Sequence, residues 1–293
     1  MPFFSRSQPK SKVFLVTFGG WNAGDYYSDP SLHFTFAGVK LHRILWRDFP
    51  RLVGKGIVTP QSTVIFGGGG CLDATSQRTK FYGSLPSGAQ LIHWGSGSNR
   101  PNPEGVKRVL NDDELNSPTD TCSSFNLVGL RDYQGQSRSG FQGTVQYIPC
   151  ASAMMKELEE ERAPQRDTGR IDHAWLAPKH SAELDHLPAV GMDLRKHSIS
   201  TILRFISESE TIVTSSYHAA FWSLLMGKRT VVEGNTSSKF EFLQFPAVFY
   251  SGDLDSDIGR AKPAPFPAFL NHARRLNIDF HSEVMGILKP MAS

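Results

Sequence analysis

The 293-residue chain is poor in cysteine, in net charge and in long apolar runs, and each shortage removes a class of protein. The three cysteines, Cys71, Cys122 and Cys150, lie far apart. They form no Cys-x-x-Cys pair and no His/Cys cluster with zinc spacing, so neither a structural zinc nor a disulfide framework is expected, and a reducing compartment is. No run of ~18 apolar residues exists, which excludes a hydrophobic membrane-spanning helix. Met1 to Lys12 is polar and basic with no apolar stretch, unlike a secretory leader. The expected location is cytoplasmic, with at most peripheral contact at the inner face of a membrane. Lys and Arg number 31 against 28 Asp and Glu, a net charge of +3. That excess is too small and too evenly spread for a nucleic-acid surface. Neither G-x-G-x-x-G nor a Walker P-loop is present, so dinucleotide and ATP-type chemistry lack support. Asp253, Asp255 and Asp257 begin like a calcium loop, but Ile258 stands where that loop needs Gly and Ala264 where it needs Glu. A solvated turn is expected there, and no metal is.

What the sequence does contain is an α/β pattern. Hydrophobic residues make up 39% and charged residues 20%, as in a folded globular protein of one large or two ordinary domains. Short apolar runs end repeatedly in glycine or polar residues: Val13 to Phe18 before Gly19-Gly20, Thr63 to Phe66 before Gly67 to Gly70, Gln90 to Trp94 before Gly95-Ser96-Gly97-Ser98, and Asn126 to Leu130 before Arg131-Asp132. Buried parallel strands look like this at their carboxyl ends. Further strands are expected at Ala174 to Ala177, Thr211 to Thr214, Thr230 to Val232 and Ala247 to Tyr250. Helical spacing runs from Ser31 to Trp46, from Ser198 to Ser207, from His218 to Met226 with Gly227 as its C′ residue, and from Pro267 to Lys289. The charged stretch Lys156 to Arg170 reads as a helical, solvated face or linker. Two βαβ-rich halves follow. The expected fold is two Rossmann-like α/β domains facing a central cleft, residues 1–147 and 148–293, with a C-terminal helix placed to pack back on the first.

Six strand ends carry candidate chemistry. Asn22-Ala23-Gly24-Asp25 makes a turn in which Asp25 caps a helix or acts as a base. The run containing Gly68 and Gly69 allows positive φ and close approach of an anion to backbone N–H groups, or is a tight strand exit. Ser96 lies in a loop of amides and hydroxyls, anion-binding or merely connecting. Arg131 at a strand's carboxyl end suits a phosphate or carboxylate, or an ion pair with its neighbour Asp132. Ser215-Ser216-Tyr217-His218 joins a strand to a helix start, where amides and hydroxyls hold anions and His218 serves as acid or base or is a structural histidine. Ser238 and Lys239, after Thr236 and Ser237, offer a second anion contact.

The order of these motifs resembles the polysaccharide pyruvyltransferase family. Asn22-Ala23-Gly24-Asp25 matches its N-x-G-D element. The segment Phe66 to Gly70, the Gly95-Ser96-Gly97 loop, Leu130-Arg131-Asp132, Tyr217-His218 and Ser237-Ser238-Lys239-Phe240 follow in the family's order, over roughly Val13 to Phe245. Two positions depart from it. Ser216 stands where the family carries Arg in Arg-x-His, and Pro149-Cys150-Ala151-Ser152 where it has an Asp-Pro-Ala-like segment. The resemblance implies a fold similar to GT-B glycosyltransferases and transfer of a pyruvyl or enolpyruvyl unit from phosphoenolpyruvate to a sugar, oligosaccharide or lipid-linked acceptor, with no other cofactor. It places the chemistry on His218, Asp25 and Arg131. His218 protonates the methylene carbon or the leaving phosphate, Asp25 takes the sugar's proton, and Lys239 neutralises the leaving group. Asn22, Gly68, Gly69, Ser96, Ser215, Ser216 and Ser238 complete the expected substrate contacts. A glycosyltransferase using a nucleotide sugar and a non-catalytic sugar- or anion-binding protein are the alternatives compatible with the same residues.

Overall fold

The computed structural model describes residues 12–70, 85–97, 125–133, 145–174, 182–234, 238–240 and 243–288. The first sheet contains β1 (Val13–Thr17), β2 (Leu41–Leu45), β3 (Thr63–Gly67), β4 (Gln90–Ser96), β5 (Leu127–Leu130) and β6 (Val145–Tyr147), in the order β2-β1-β3-β4-β5-β6. All its pairings are parallel. The second contains β7 (Arg166–Asp172), β8 (Ala189–Gly191), β9 (Ser209–Thr214), β10 (Arg229–Val232) and β11 (Val248–Phe249), in the order β11-β10-β9-β7-β8, again parallel throughout. Counted within each half, the orders are 2-1-3-4-5-6 and 2-1-3-4-5, the same but for an extra edge strand in the first sheet. Chain direction across the sheet reverses once in each, between β1 and β3 and between β7 and β9. In open parallel sheets ligands bind outside the carboxyl ends of the strands at that reversal.

The strands form because their residues are buried on both faces. β1 and β3 are buried at every position, as a parallel strand covered on two sides requires. The first sheet packs Phe14, Val16, Val64 and Phe66 on one face. On the other, Leu15, Ile65, Ile92 and Trp94 meet Phe280, Val284, Met285 and Leu288 of the final helix, Ala268–Leu288. The start of that helix, through Phe269, Leu270 and Ala273, packs in the core of the second sheet. Midway, Asn277 accepts from Trp94 Nε1 at 2.9 Å and donates to the carbonyl of Pro149 at 3.1 Å, so its amide is satisfied although fully buried. One 21-residue helix thus ties both cores together.

The other helices are α1 (Ala23–Tyr27), α2 (Phe49–Gly54), α3 (Ile199–Ser207), α4 (Tyr217–Leu225) and α5 (Leu254–Arg260), the final helix being α6. α3 begins at Ser198, whose hydroxyl accepts from Thr201 N at 3.1 Å, an N-cap worth ~1 kcal/mol. It buries Ile202, Leu203 and Ile206. α4 is buried along its whole length, and Gly227 beyond it takes φ +67°.

Three segments differ from the sequence expectation. Ser31 to Trp46 is not a helix. It holds one 3-10 turn at Pro30–Leu32, a loop with Gly38 at φ +77°, and the edge strand β2. Lys156 to Arg170 is not a helical linker, because it leads into β7, a strand with neighbours on both sides. β7 ends before Ala174, and Trp175 to Ala177 lie outside the described residues. The aspartates near the C-terminus are no solvated turn either. Asp253 caps α5, and Asp257 is fully buried, accepting from Ser251 N and Oγ and pairing with Arg260.

Candidate active site

The two reversal points converge on one cavity of about 130 Å³. β1 leads into Phe18, Asn22 and Asp25, and β3 into Gly70. From the other half come His173 after β7 and Ser216, Tyr217 and His218 after β9. Arg131 enters from the end of β5 and Lys239 from the loop after β10. Backbone pairing holds the halves together beside this cavity. Ala23 N donates to Met192 O at 2.9 Å, Leu194 N donates to Trp21 O at 2.8 Å, and Asn22 forms a β-bridge with Asp193.

Local sequence explains each position. Asn22, not Asp25, caps α1, its side chain accepting from Asp25 N at 3.2 Å. That leaves the Asp25 carboxylate at the first turn, on the cavity wall. Gly24 is required by contact. A Cβ there would lie 2.1 Å from His218 Nδ1, so α1 and α4 approach as closely as they do only through glycine. Ser216 begins α4 without a side-chain cap bond, and the first-turn amides of a helix lack intrahelical acceptors. Arg131 is 3% exposed, with Cζ 4.0 Å from the Tyr217 ring centroid, a desolvated cation–π contact.

Positive charge is concentrated here. Burial, then the Arg131 guanidinium, pulls the Lys239 ammonium down to about 8. Burial, then Lys239, takes His173 down to about 4. His218 is held well below the usual histidine range by burial first, then by Arg131, Lys239 and His173. At neutral pH His218 is therefore neutral in the empty site. An anion entering the cavity offsets the neighbouring charges and raises its affinity for a proton.

A chain of polar contacts runs from Trp222 to His218. Trp222 Nε1 donates to Ser152 Oγ at 3.0 Å, Ser152 Oγ donates to Cys150 Sγ at 3.2 Å, and Cys150 Sγ lies 3.6 Å from His218 Nε2. An indole N–H can only donate, which fixes the first link, while in the last either the thiol or the ring N–H donates, according to the tautomer. Burial raises the Cys150 pKa and keeps that thiol protonated. Cys150 thus touches the histidine directly. Cys150→Ala is expected to lower turnover roughly tenfold, as loss of an orienting partner does, and to move the pH–rate profile without altering the fold. An unchanged pH profile would assign Cys150 to packing alone.

Several expected contacts fall elsewhere. Ser96 is fully buried, and its hydroxyl bonds His93 Nδ1 at 2.9 Å rather than facing the cavity. In the same loop Gly97 matters for its size, since a Cβ would meet Asp132 Oδ1 at 2.4 Å and Arg131 Nε at 2.6 Å. Gly68 and Gly69, at φ +67° and +80°, press against Ser28 and Phe18, and Gly68 N is bonded to Trp94 O at 2.7 Å. They shape the exit of β3, and Gly70 reaches the cavity instead. Ser215 lies beside the cavity lining but not in it. The Ser238 side chain, Thr236, Ser237, Ser98, Cys71 and Cys122 lie outside what is described. Asn22, Asp25, Arg131, Ser216, His218 and Lys239 are brought together as expected. Phe18 and His173 were not expected there, while Gly70 and Tyr217 belong to the expected glycine run and the Ser215-to-His218 constellation. His173 was hidden because β7, whose end it follows, is too polar to read as a strand. Among the described residues no group of three or more His, Cys, Asp or Glu has metal-holding geometry, and no helix is long and apolar enough to cross a membrane.

Comparison with known proteins adds an independent line. Residues 8–237 match the sequence model of the family described as polysaccharide pyruvyl transferase. A search of curated proteins finds no match. Among solved structures, an uncharacterized protein from Klebsiella pneumoniae subsp. pneumoniae NTUH-K2044 is 17% identical, with a TM-score of 0.47, over 83% of this chain and 94% of its own. The wall teichoic acid polymerase TagF is 10% identical, with a TM-score of 0.44, over 97% of this chain and 89% of its own.

Proposed function

The chain belongs to the polysaccharide pyruvyl transferase family, a family of transferases, and from that premise we propose that its donor is phosphoenolpyruvate and its product a pyruvate ketal on a sugar. The acceptor is a surface polysaccharide or its precursor, and no other cofactor takes part. One observation carries the reading: Arg131, Lys239, His218 and the start of α4 surround a small cavity that also holds the Asp25 carboxylate. Phosphoenolpyruvate bears a phosphate and a carboxylate, and it needs this density of cations and amides. At about 130 Å³ the cavity suits a small anion better than a nucleotide, whose sites run from ~300 Å³ upward.

The residues divide the reaction among them. His218, protonated once the anion is bound, gives its proton to the methylene carbon as the C2–C3 π electrons form the new C–H bond. C2 becomes electrophilic, and a sugar hydroxyl oxygen bonds to it while Asp25 takes the hydroxyl proton. A second hydroxyl then displaces phosphate at C2. The C–O bond breaks with its electron pair on the phosphate, which keeps that hydroxyl's proton. Passing the Asp25 proton to His218 resets the site. Arg131 and Lys239 stabilise the charge on the departing phosphate.

The test is phosphate release from phosphoenolpyruvate by the purified chain with galactosides, glucosides and mannosides, together with a new ketal methyl signal by proton NMR. Failure to bind or consume phosphoenolpyruvate with any of them would sink the reading. The pH dependence of donor binding adds a sign. Anion binding favours charged Lys239, whose pKa in the empty site is about 8. Donor Kd is therefore expected to rise gently with pH below 8, where His218 takes up protons on binding, and to steepen above it by up to about tenfold per pH unit as Lys239 loses its proton in the free site. Lys239→Met should weaken binding at pH 7 and remove that inflection. A wild-type Kd that stays constant from pH 7 to 9.5 would exclude Lys239 from the donor site.

A further inference from the structure

Beside the cationic cavity lies a second, larger hollow of about 650 Å³, within the ~300–1,000 Å³ span of small-molecule sites. The two share Phe18 and Asp25, so the Asp25 carboxylate lines both. The walls of the second are unlike those of the first. Trp21 and Tyr26 are 53% and 38% exposed, two of the few large apolar side chains left in solvent among the described residues. Trp46 is half-buried, stacked on Phe18 with ring centroids 5.9 Å apart. Trp21, Tyr26 and Trp46 line the hollow, with Arg195 Cζ 5.7 Å from the Trp21 ring centroid, and this much exposed aromatic surface is more than core packing calls for.

The polar groups are balanced. Arg43 pairs with the buried Asp29, and its own side chain is 50% exposed. Arg47 stands at the rim. Arg43 and Arg47 line the hollow with Asp25 and the buried Asp29, whose oxygens accept from Arg43 and Ser31, so the hollow offers guanidinium donors beside the Asp25 carboxyl group. Aromatic faces with paired Arg and Asp match an uncharged saccharide, whose C–H faces stack on rings while its hydroxyls need both donors and acceptors. An anion would meet Asp25 and Asp29 instead.

We propose that this hollow binds the acceptor saccharide, with a sugar ring on Trp21, Tyr26 or Trp46, its hydroxyls on the Arg43–Asp29 pair, and the reacting hydroxyls at Asp25. The proposal rests on the donor site assigned above. It adds that acceptor selection is made by residues between Gly20 and Arg47 on the first half. Their placement explains how one carboxylate serves both substrates. Asp25 stands where the acceptor hollow opens toward the donor cavity.

The experiment uses the full chain, methyl glycosides of galactose, glucose and mannose, and lactose. Saccharide binding is followed by saturation-transfer NMR, and phosphoenolpyruvate binding separately by thermal shift. At least one saccharide is expected to bind the wild type, and Trp21→Ala and Tyr26→Ala to weaken it at least tenfold while the donor-induced shift persists. Arg43→Lys, which keeps the charge but loses the planar fork, should weaken saccharide binding more than donor binding. No binding by any saccharide, or unchanged binding in folded Trp21→Ala and Tyr26→Ala proteins, overturns the proposal. Saccharide binding lost in these variants while the wild type ignores phosphoenolpyruvate supports the hollow and removes the donor reading, so the two fail separately.

Discussion

His218→Gln is expected to lower kcat by about 10²–10⁴-fold, the range that one positioned acid supplies, with the protein still folded and phosphoenolpyruvate still bound. Glutamine is close in size, and its amide can pair with the Cys150 thiol in either direction. The change therefore removes the transferable proton more than it removes packing. Donor binding persists because Arg131 and Lys239 carry the charge. Calorimetry supplies a second readout. In the empty site His218 is neutral at pH 7, being held down by burial and by Arg131, Lys239 and His173. Donor binding relieves that repulsion, so the wild type should take up protons on binding and His218→Gln should take up fewer. Measured heats in buffers of different ionisation enthalpy separate the two. A loss in kcat below tenfold, or identical proton uptake, would move the acid to another group.

Legibility along the chain followed burial. Strands buried on both faces were plain: β1, β3, β4 and β9 are apolar runs because neighbours cover both sides. β2 was not, since it lies at the sheet edge, half-buried, and carries His42 and Arg43. Its residues share a spacing with Phe34 and Gly38 that also fits a helix, and only the turn at Gly38 separates the readings. β7 was hidden by its charges. Arg166 pairs with Glu208, and Arg170 pairs with Asp172 and Asp185. Such strands are stabilised by partners that come from distant sequence, and no local pattern reports them.

The site divides in the same way. Asn22, Asp25, Arg131, Ser216 and His218 were visible because each follows a strand end, where parallel sheets present their ligand groups. The glycine loops misled because glycine serves two purposes. Gly68, Gly69 and Gly97 admit neighbouring side chains rather than an anion. Ser216, where the resemblance leads one to expect arginine, shares its cavity with Lys239 and Arg131. The second departure, at Cys150, meets the histidine two residues beyond Ser216, its Sγ 3.6 Å from Nε2. Neither link could be read without the fold that joins residue 150 to residue 218.

Arg131→Met should be as damaging as loss of the acid, through binding rather than proton transfer. Arg131 is almost fully buried over Tyr217 and lines the donor cavity. Removing one partner of a buried charge contact costs about 2–5 kcal/mol, so donor Kd should rise by roughly 30- to 4,000-fold. Methionine keeps much of the apolar stem that covers Tyr217, so the melting temperature should move far less than the affinity. The sign of the accompanying pKa change makes the test specific. Arg131 is the largest charge acting to keep His218 deprotonated, second only to burial. In Arg131→Met that repulsion is gone, and His218 should titrate closer to the ordinary histidine value. Followed by NMR of the ring carbons in the empty protein, the midpoint should move up relative to wild type. The alkaline limb of kcat measured at saturating donor should move up as well, because the same cation is lost from beside the imidazolium. Weaker donor binding with no movement of the His218 midpoint would place Arg131 on the donor but away from the acid, and the shared-cavity account of the proton would fail.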